Sequence, residues 1–180
     1  MKVLGGTSRA SVITLRKALA DAVSKQSASD AASFASDLFT ILTVLSSSVG
    51  LRRALTDNSR DKSAKAELIS NLFGKNIKAD AQTILATAAS LRWSSPSELA
   101  DAVEHLAVEA QSAAAEKSNE QEALESELFD FARVLIANPD FRQALNTSAD
   151  SNEGKLALLD AVVKGKYASS TLTLLQKVVT

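Results

Sequence analysis

Apolar residues recur along this 180-residue chain at the spacing of amphipathic helices. The first clear stripe contains Val12, Leu15 and Leu19, and a second runs from Phe34 to Leu45. Residues that are three, four and seven positions apart lie on one face of an α-helix, so each stripe predicts a helix with one buried face. Similar stripes continue to the end of the chain, and we see no strand-rich segment. The pattern predicts an all-α fold.

The same pattern repeats after 90 residues. Leu51–Leu55 reads Leu-Arg-Arg-Ala-Leu, and Phe141–Leu145 reads Phe-Arg-Gln-Ala-Leu. Arg142 therefore follows Arg52 by 90 positions, and the same offset relates many apolar positions on either side of them. An ungapped register with the apolar faces retained indicates an internal duplication.

The register divides the chain into two tandem copies of a roughly six-helix bundle. We expect the first copy to occupy residues 1–117 and the second to occupy residues 95–180, so that both share the helix beginning near residue 95. Ser95-Pro96-Ser97-Glu98 marks that start, because it combines an N-cap serine, an N1 proline and an N3 glutamate. Nothing after Thr180 matches this helix in the second copy. We therefore expect the second copy to be incomplete. We expect the chain to be a fragment, and the alternative is that a partner covers the apolar surface left bare.

The fourth helix of each copy carries further expectations. Glycine is typical of the left-handed residue that follows a helix, so Gly74 and Gly165 are expected to end these helices. For Arg52 and Arg142 two interpretations stay open: a cap or ion pair within their own fold, or contact with a partner. The residues predicted to face inward are Ala64, Leu68, Ile69 and Leu72 in the first copy, and Leu158, Leu159, Val162 and Val163 in the second.

Composition and charge argue against several classes of partner. The chain has 20 basic and 21 acidic residues, which leaves no electrostatic footprint for nucleic acid or an anionic membrane surface. It contains no cysteine, so disulfides and thiolate metal sites are excluded. The N-terminus lacks the apolar region of a signal peptide, and no window approaches about 18 consecutive apolar residues. We expect a cytosolic protein that neither binds nucleic acid nor inserts into the membrane.

No group of residues in the sequence indicates catalysis. His105 is the only histidine, so a cluster of histidine ligands cannot form. We interpret this residue as structural. No Gly-x-Ser-x-Gly elbow presents a nucleophile. We predict a non-catalytic module without cofactor or metal, whose natural binding mode is a partner helix laid in a groove between amphipathic helices. The acidic residues of one central helix are interpreted as a solvated face, namely Glu120, Glu122, Glu125 and Glu127.

Two features together resemble a known family. One is the series of six short helices that begins with an amphipathic pair. The other is the sequence Asn-Pro-Asp-Phe-Arg-Gln-Ala-Leu at residues 138–145, followed by Lys-Leu-Ala-Leu-Leu at residues 155–159. The combination resembles the delta subunit of bacterial F-type ATP synthase, the counterpart of the mitochondrial oligomycin-sensitivity-conferring protein. Residues 8–11 and 91–94 are similar to the longer delta proteins of high-GC Gram-positive bacteria, in which the helical domain is duplicated.

The resemblance implies a non-catalytic stator subunit of the peripheral stalk, at the cytoplasmic face of the cell membrane. In that family the N-terminal helical domain sits on the catalytic head and binds N-terminal helices of the alpha subunits. A C-terminal domain with strands joins the b subunit, and the part that should meet the b subunit is apparently missing here. The alternative function is a soluble helical-repeat adaptor that binds amphipathic helices of another partner.

The resemblance also implies where a partner helix binds, because the family's groove lies between its first and fifth helices. A groove and a core share the same apolar stripe, so ordinary core packing is the alternative interpretation. In the first copy the groove residues are Val12, Leu15, Leu19, Ile84, Leu85 and Ala88. The equivalent groove of the second copy uses Leu99, Val103, Leu106, Leu174 and Leu175.

Overall fold

The computed structural model describes residues 5–74, 76–147, 151–163 and 165–180. Within these ranges all regular structure is α-helical, which confirms the predicted all-α fold. The described helices are α1 Gly6–Ser24, α2 Ala28–Ser47, α3 Val49–Thr56, α4 Lys62–Phe73, α5 Ala79–Ser90, α6 Pro96–Lys117, α7 Gln121–Ala137, α8 Pro139–Asn146, α9 Asn152–Val163 and α10 Ser169–Val179.

The helix bounds repeat with the register seen in the sequence. α8 begins and ends 90 residues after α3, α9 does the same relative to α4, and α6 and α10 begin 90 residues after α1 and α5. The two copies set these bounds with different residues. The Ser48 side chain accepts a hydrogen bond from the Leu51 amide (3.1 Å) at the start of α3, whereas Pro139 occupies the first turn of α8.

The chain separates into two compact units, residues 1–113 and 114–180. The boundary falls inside α6, which runs without interruption from Pro96 to Lys117. The arrangement of two six-helix bundles over residues 1–117 and 95–180, with this helix shared, remains a prediction.

In the first unit, α2 supplies much of the buried apolar surface. Phe34, Leu38 and Leu45 on its inner face are fully buried. By length and a mean hydropathy of 1.2, α2 is the one described helix that could cross a membrane. Its buried face gives these apolar residues a place in the protein core, as in many soluble proteins.

The second unit has a separate apolar cluster. Phe131 of α7 meets Phe141 of α8 edge to face, with ring centroids 6.2 Å apart and an interplanar angle of 85°, a favourable aromatic geometry. The buried members of the cluster are Phe131, Leu145, Leu159, Val163 and Leu175.

The inward face of α4 differs from the prediction. Ala64 is exposed and Leu72 is 44% exposed, whereas Lys65, Ile69 and Phe73 form the buried stripe. The buried face is thus rotated relative to the prediction, and the Lys65 ammonium donates to the carbonyl oxygen of Ala89 (2.8 Å), which satisfies a charged group inside the protein. In α9 the same rotation buries Leu159 and Val163, both predicted, and leaves Leu158 40% exposed.

The two glycines behave differently. Gly165 has φ 76°, the left-handed conformation predicted for it. Gly74 follows the last residue of α4 as predicted, but the predicted left-handed conformation is wrong, because Gly74 has φ −55° and ψ −20°. Its amide donates to the carbonyl oxygen of Ser70 (2.8 Å) as in a further helical turn, so no left-handed residue is needed there.

Candidate partner-helix site

The six residues predicted for the first groove are all buried. α1 packs against α5, and none of the six side chains is more than 6% exposed. They therefore form the interior of the first unit. That they contact a partner helix remains a prediction. The exposures are Val12 6%, Leu15 0%, Leu19 5%, Ile84 2%, Leu85 0% and Ala88 0%.

Threonines contribute to the outer surfaces of α1 and α5. Thr14 on α1 and Thr83 on α5 are exposed, and Thr87 is half-buried. Each hydroxyl donates to the carbonyl four residues earlier in its own helix, at 3.2, 2.9 and 2.8 Å. Because these hydroxyls are already satisfied by the backbone, a helix lying on this surface would meet threonine methyl groups without breaking hydrogen bonds.

Polar contacts fix the start of α1 against the segment that opens α6. The Glu98 carboxylate accepts hydrogen bonds from the Gly5 amide (3.2 Å) and from the Ser8 hydroxyl. Ser8 in turn accepts from the Ser94 amide (2.9 Å), and the Ser11 hydroxyl donates to the Arg92 carbonyl (2.6 Å). Sequence reasoning placed Glu98 in a local helix cap and missed this longer-range role.

The start of α5 is held by two carboxylates of α2. The Lys78 amide donates to Asp37 (2.9 Å), and the Lys78 ammonium lies 3.0 Å from Asp30. The Ser27 hydroxyl and then Lys78 lower the pKa of the exposed Asp30 carboxyl. Carboxylates at a helix N-terminus interact favourably with the helix dipole.

Buried polar groups hold the end of α5. The Lys65 ammonium bonds the Ala89 carbonyl, and the Trp93 indole nitrogen donates to the Ala88 carbonyl (2.9 Å). Burial lowers the pKa of the Lys65 amine. Trp93 is therefore a packing and capping residue, and both contacts satisfy terminal carbonyls of the helix.

The residues predicted for the second groove lie in different units. Leu99, Val103 and Leu106 belong to α6 in the first unit, and Leu174 and Leu175 belong to α10 in the second. All five are buried. That they line one groove is untested.

The start of α10 repeats the arrangement seen at α5. The Ala168 amide donates to both carboxylate oxygens of Glu127 (3.0 and 2.9 Å), in the register position of Asp37. Glu120, in the position of Asp30, accepts from the Ser170 amide (3.0 Å) and from the Ser169 hydroxyl. The Ser170 hydroxyl and amide, and then the Ser169 hydroxyl, lower the pKa of Glu120. Glu120 and Glu127 are therefore helix caps, and the prediction of a purely solvated face was wrong for these two.

The two register-related arginines have different surroundings. Arg52 donates to the carbonyl of Ser46 (2.9 Å) and to that of Leu45, which caps the end of α2. Arg142 is exposed, and its side chain makes no hydrogen bond or ion pair within the described residues. The interpretation as a cap holds for Arg52 alone.

The described residues contain no group of three or more histidine, aspartate or glutamate side chains that could hold a metal ion. The polar contacts described above connect the ends of helices to residues of neighbouring helices. Fold and contacts together define the class: an all-helical protein in which repeated carboxylate caps and buried apolar faces fix helix positions.

Comparison with known proteins finds relatives that all carry the same name. The chain is 41% identical over 175 residues to the ATP synthase subunit delta of Kineococcus radiotolerans and 33% identical over 180 residues to that of Streptomyces coelicolor. It is 32% identical over 175 residues to that of Thermobifida fusca. No family model matches the chain. These similarities confirm the resemblance noted in the sequence: over nearly its whole length the chain is similar to ATP synthase delta subunits of actinobacteria.

The similarity covers nearly all of this chain and less of its relatives. The three alignments include 96%, 100% and 97% of the chain, but only 62%, 65% and 64% of the respective relatives. The chain therefore spans just under two thirds of the length of these relatives.

Proposed function

We propose that the chain is a non-catalytic stator component of the peripheral stalk of an F-type ATP synthase, on the cytoplasmic face of the cell membrane. The observation that carries this proposal is the similarity, over 96% of the chain, to the ATP synthase subunit delta of Kineococcus radiotolerans. A stator transmits force between stationary parts, so it needs rigid packing rather than reactive groups. The extensive tertiary capping of α5 and α10 supports such a role.

The partner that we propose is the N-terminal helix of an alpha subunit of the catalytic head. The two helices implied by the family resemblance, α1 and α5, pack together. Their shared stripe is buried, so we place the partner on the outer surface of the pair, over Thr14, Thr83 and Thr87. A helix laid along two neighbouring helices is a common mode of recognition. We propose the b subunit of the peripheral stalk as a further partner and assign it no surface on these ten helices.

Variants on that outer surface provide a clean test. Leu15 and Leu85 are fully buried, so a charge at either position would damage the fold as well as any binding site. Thr83→Arg places a bulky charge on the outer surface of α5. Thr173→Arg is the matched control in the second copy, because Thr173 occupies the same register position and makes the same hydrogen bond to the carbonyl four residues earlier (2.9 Å).

The experiment is a calorimetric titration of the full chain with a peptide of the N-terminal helix of the cognate alpha subunit, beside a scrambled peptide. We expect saturable binding of the native peptide, weakened at least about tenfold by Thr83→Arg and unchanged by Thr173→Arg. The reverse pattern would assign the partner to the second copy and overturn the placement on α1 and α5. Equal binding of both peptides, or none, would contradict the proposed partner and favour the adaptor function.

A further inference from the structure

A bare apolar stripe runs along the C-terminal half of α7. Phe129 and Ile136 are each 73% exposed, and Ala132 between them is also exposed. Their spacing of three and four residues places them on one face of the helix. Large apolar side chains arranged in a row on the surface are typical of a docking site.

The internal repeat shows that the corresponding face is covered in the first copy. Phe39 of α2 occupies the register position of Phe129 and is only 4% exposed. Leu42, at the position of Ala132, is half-buried. The chain thus covers α2 at the positions of Phe129 and Ala132 and leaves α7 open to solvent there, whereas at the position of Ile136 both copies are exposed, with the polar Ser46 in α2.

Acidic residues extend the stripe towards the start of α7. Glu122 and Glu125 are exposed and precede Phe129 by seven and four residues, which places them on the same face. Glu125 stands at the register position of Ala35, which is fully buried in α2. A carboxylate at this position is unsuited to the apolar cover that buries Ala35, and a cationic side chain of a partner would complement it.

From this combination we infer that α7 docks a basic amphipathic helix of a partner protein. Apolar residues of that helix lie over Phe129, Ala132 and Ile136, and its lysine or arginine residues face Glu122 and Glu125. A second copy of the chain fits less well. It would bring a stripe with the same acidic residues and no cationic side chain to face Glu122 and Glu125. The surface lies on α7 and not on α1 or α5, so this inference does not depend on the proposed function.

The test uses the full chain and a designed helical probe. The probe is a peptide of about 18 residues, long enough for several turns, with leucines on one face and lysines at one end of that face. A matched peptide carries glutamate in place of each lysine. The readout is the change in backbone amide chemical shifts on titration, which both locates the contact and gives an affinity.

We expect the lysine peptide to shift amides of α7 and to bind at least about tenfold more tightly than the glutamate peptide. Phe129→Ser combined with Ile136→Ser should weaken binding by a similar factor. The control Ile13→Ser removes an equally exposed isoleucine (70%) from the back of α1 and should leave binding unchanged. Glu122→Lys combined with Glu125→Lys should reverse the preference between the two peptides.

Four results would overturn the inference. One is the absence of saturable binding, and a second is equal affinity for the two peptides. The third is a set of shift changes confined to helices other than α7. The fourth is self-association of the chain that Phe129→Ser abolishes, because it would identify a second copy as the occupant of the stripe.

Discussion

Helix α10 begins without a local cap, and we predict that Glu127→Ala will destabilise the second unit. Ala168 at the N-cap has no side-chain oxygen, and Thr171 stands where a capping box would need glutamate or glutamine. Glu127 of α7 supplies the missing acceptor to the Ala168 amide. Hydrogen bonds to charged groups contribute about 1.5–3 kcal/mol, and a carboxylate at a helix N-terminus about 0.3–1 kcal/mol. Because Glu127 is only half-buried, we expect a loss of about 1–2 kcal/mol in unfolding free energy.

The chain offers a separate optical probe for each unit. Trp93 is the only tryptophan and lies in the first unit, and Tyr167 is the only tyrosine and lies in the second. Urea unfolding followed by tyrosine fluorescence should show the loss for Glu127→Ala, while the tryptophan signal changes less. Glu127→Gln, which keeps an acceptor but removes the charge, should lose about half as much.

Two matched variants decide whether the capping argument is correct. Asp37→Ala removes the equivalent cap of α5, so the larger change should move to the tryptophan signal. Glu125→Ala removes an exposed carboxylate of α7 that caps no helix, so it should change stability by less than about 0.5 kcal/mol. If Glu127→Ala proved no more costly than Glu125→Ala, the tertiary cap would contribute nothing measurable and the reasoning would be refuted.

Two further predictions concern capping groups. The pKa of Glu120 is lowered in the folded protein, so its stabilising contribution should be present above its usual pKa and be lost as the pH falls through the lowered value. Glu120→Gln should therefore reduce the loss of second-unit stability on acidification. The measurement is the urea midpoint of unfolding, followed by Tyr167 fluorescence, as a function of pH. If the pH dependence of this midpoint were unchanged by the substitution, the prediction would be contradicted. Arg52→Ala should lower the unfolding free energy by about 1 kcal/mol, because it removes the cap of α2. Replacing the exposed Arg142 by alanine should lower it by less than about 0.5 kcal/mol in the same urea assay. Equal losses for the two variants would show that the cap of α2 is not the cause.

The pattern of apolar residues was sufficient to predict the helical fold, because each helix has to bury one face. The 90-residue register relates α3 to α8, and a serine cap and a proline mark the same helix start in the two copies. These signals are local in sequence and therefore readable without a structure.

The features that sequence reasoning missed depend on contacts between distant residues. Lys65 is buried because its ammonium reaches Ala89, 24 residues away, and no local pattern predicts a lysine in a core. Glu127 caps a helix that begins more than 40 residues later. A signal was available, however: Asp37 and Glu127 share a register position, and each precedes by the same distance a helix that lacks its own cap.

The candidate groove was the hardest feature to judge from sequence. Leu15 and Leu85 belong to an apolar stripe whether the stripe faces a partner or the protein's own core. In the structure both are fully buried, which moves the proposed contact to exposed neighbours such as Thr83. Helical periodicity identifies the face but not the group that covers it.

The central proposal is that the chain holds the catalytic head through the N-termini of its alpha subunits. The most direct test is co-sedimentation of the full chain with two preparations of the cognate head, one intact and one with the N-terminal segments of the alpha subunits removed. The proposal predicts binding to the intact head that is lost with the truncated head and is weakened by Thr83→Arg. Equal binding to the two preparations would contradict it.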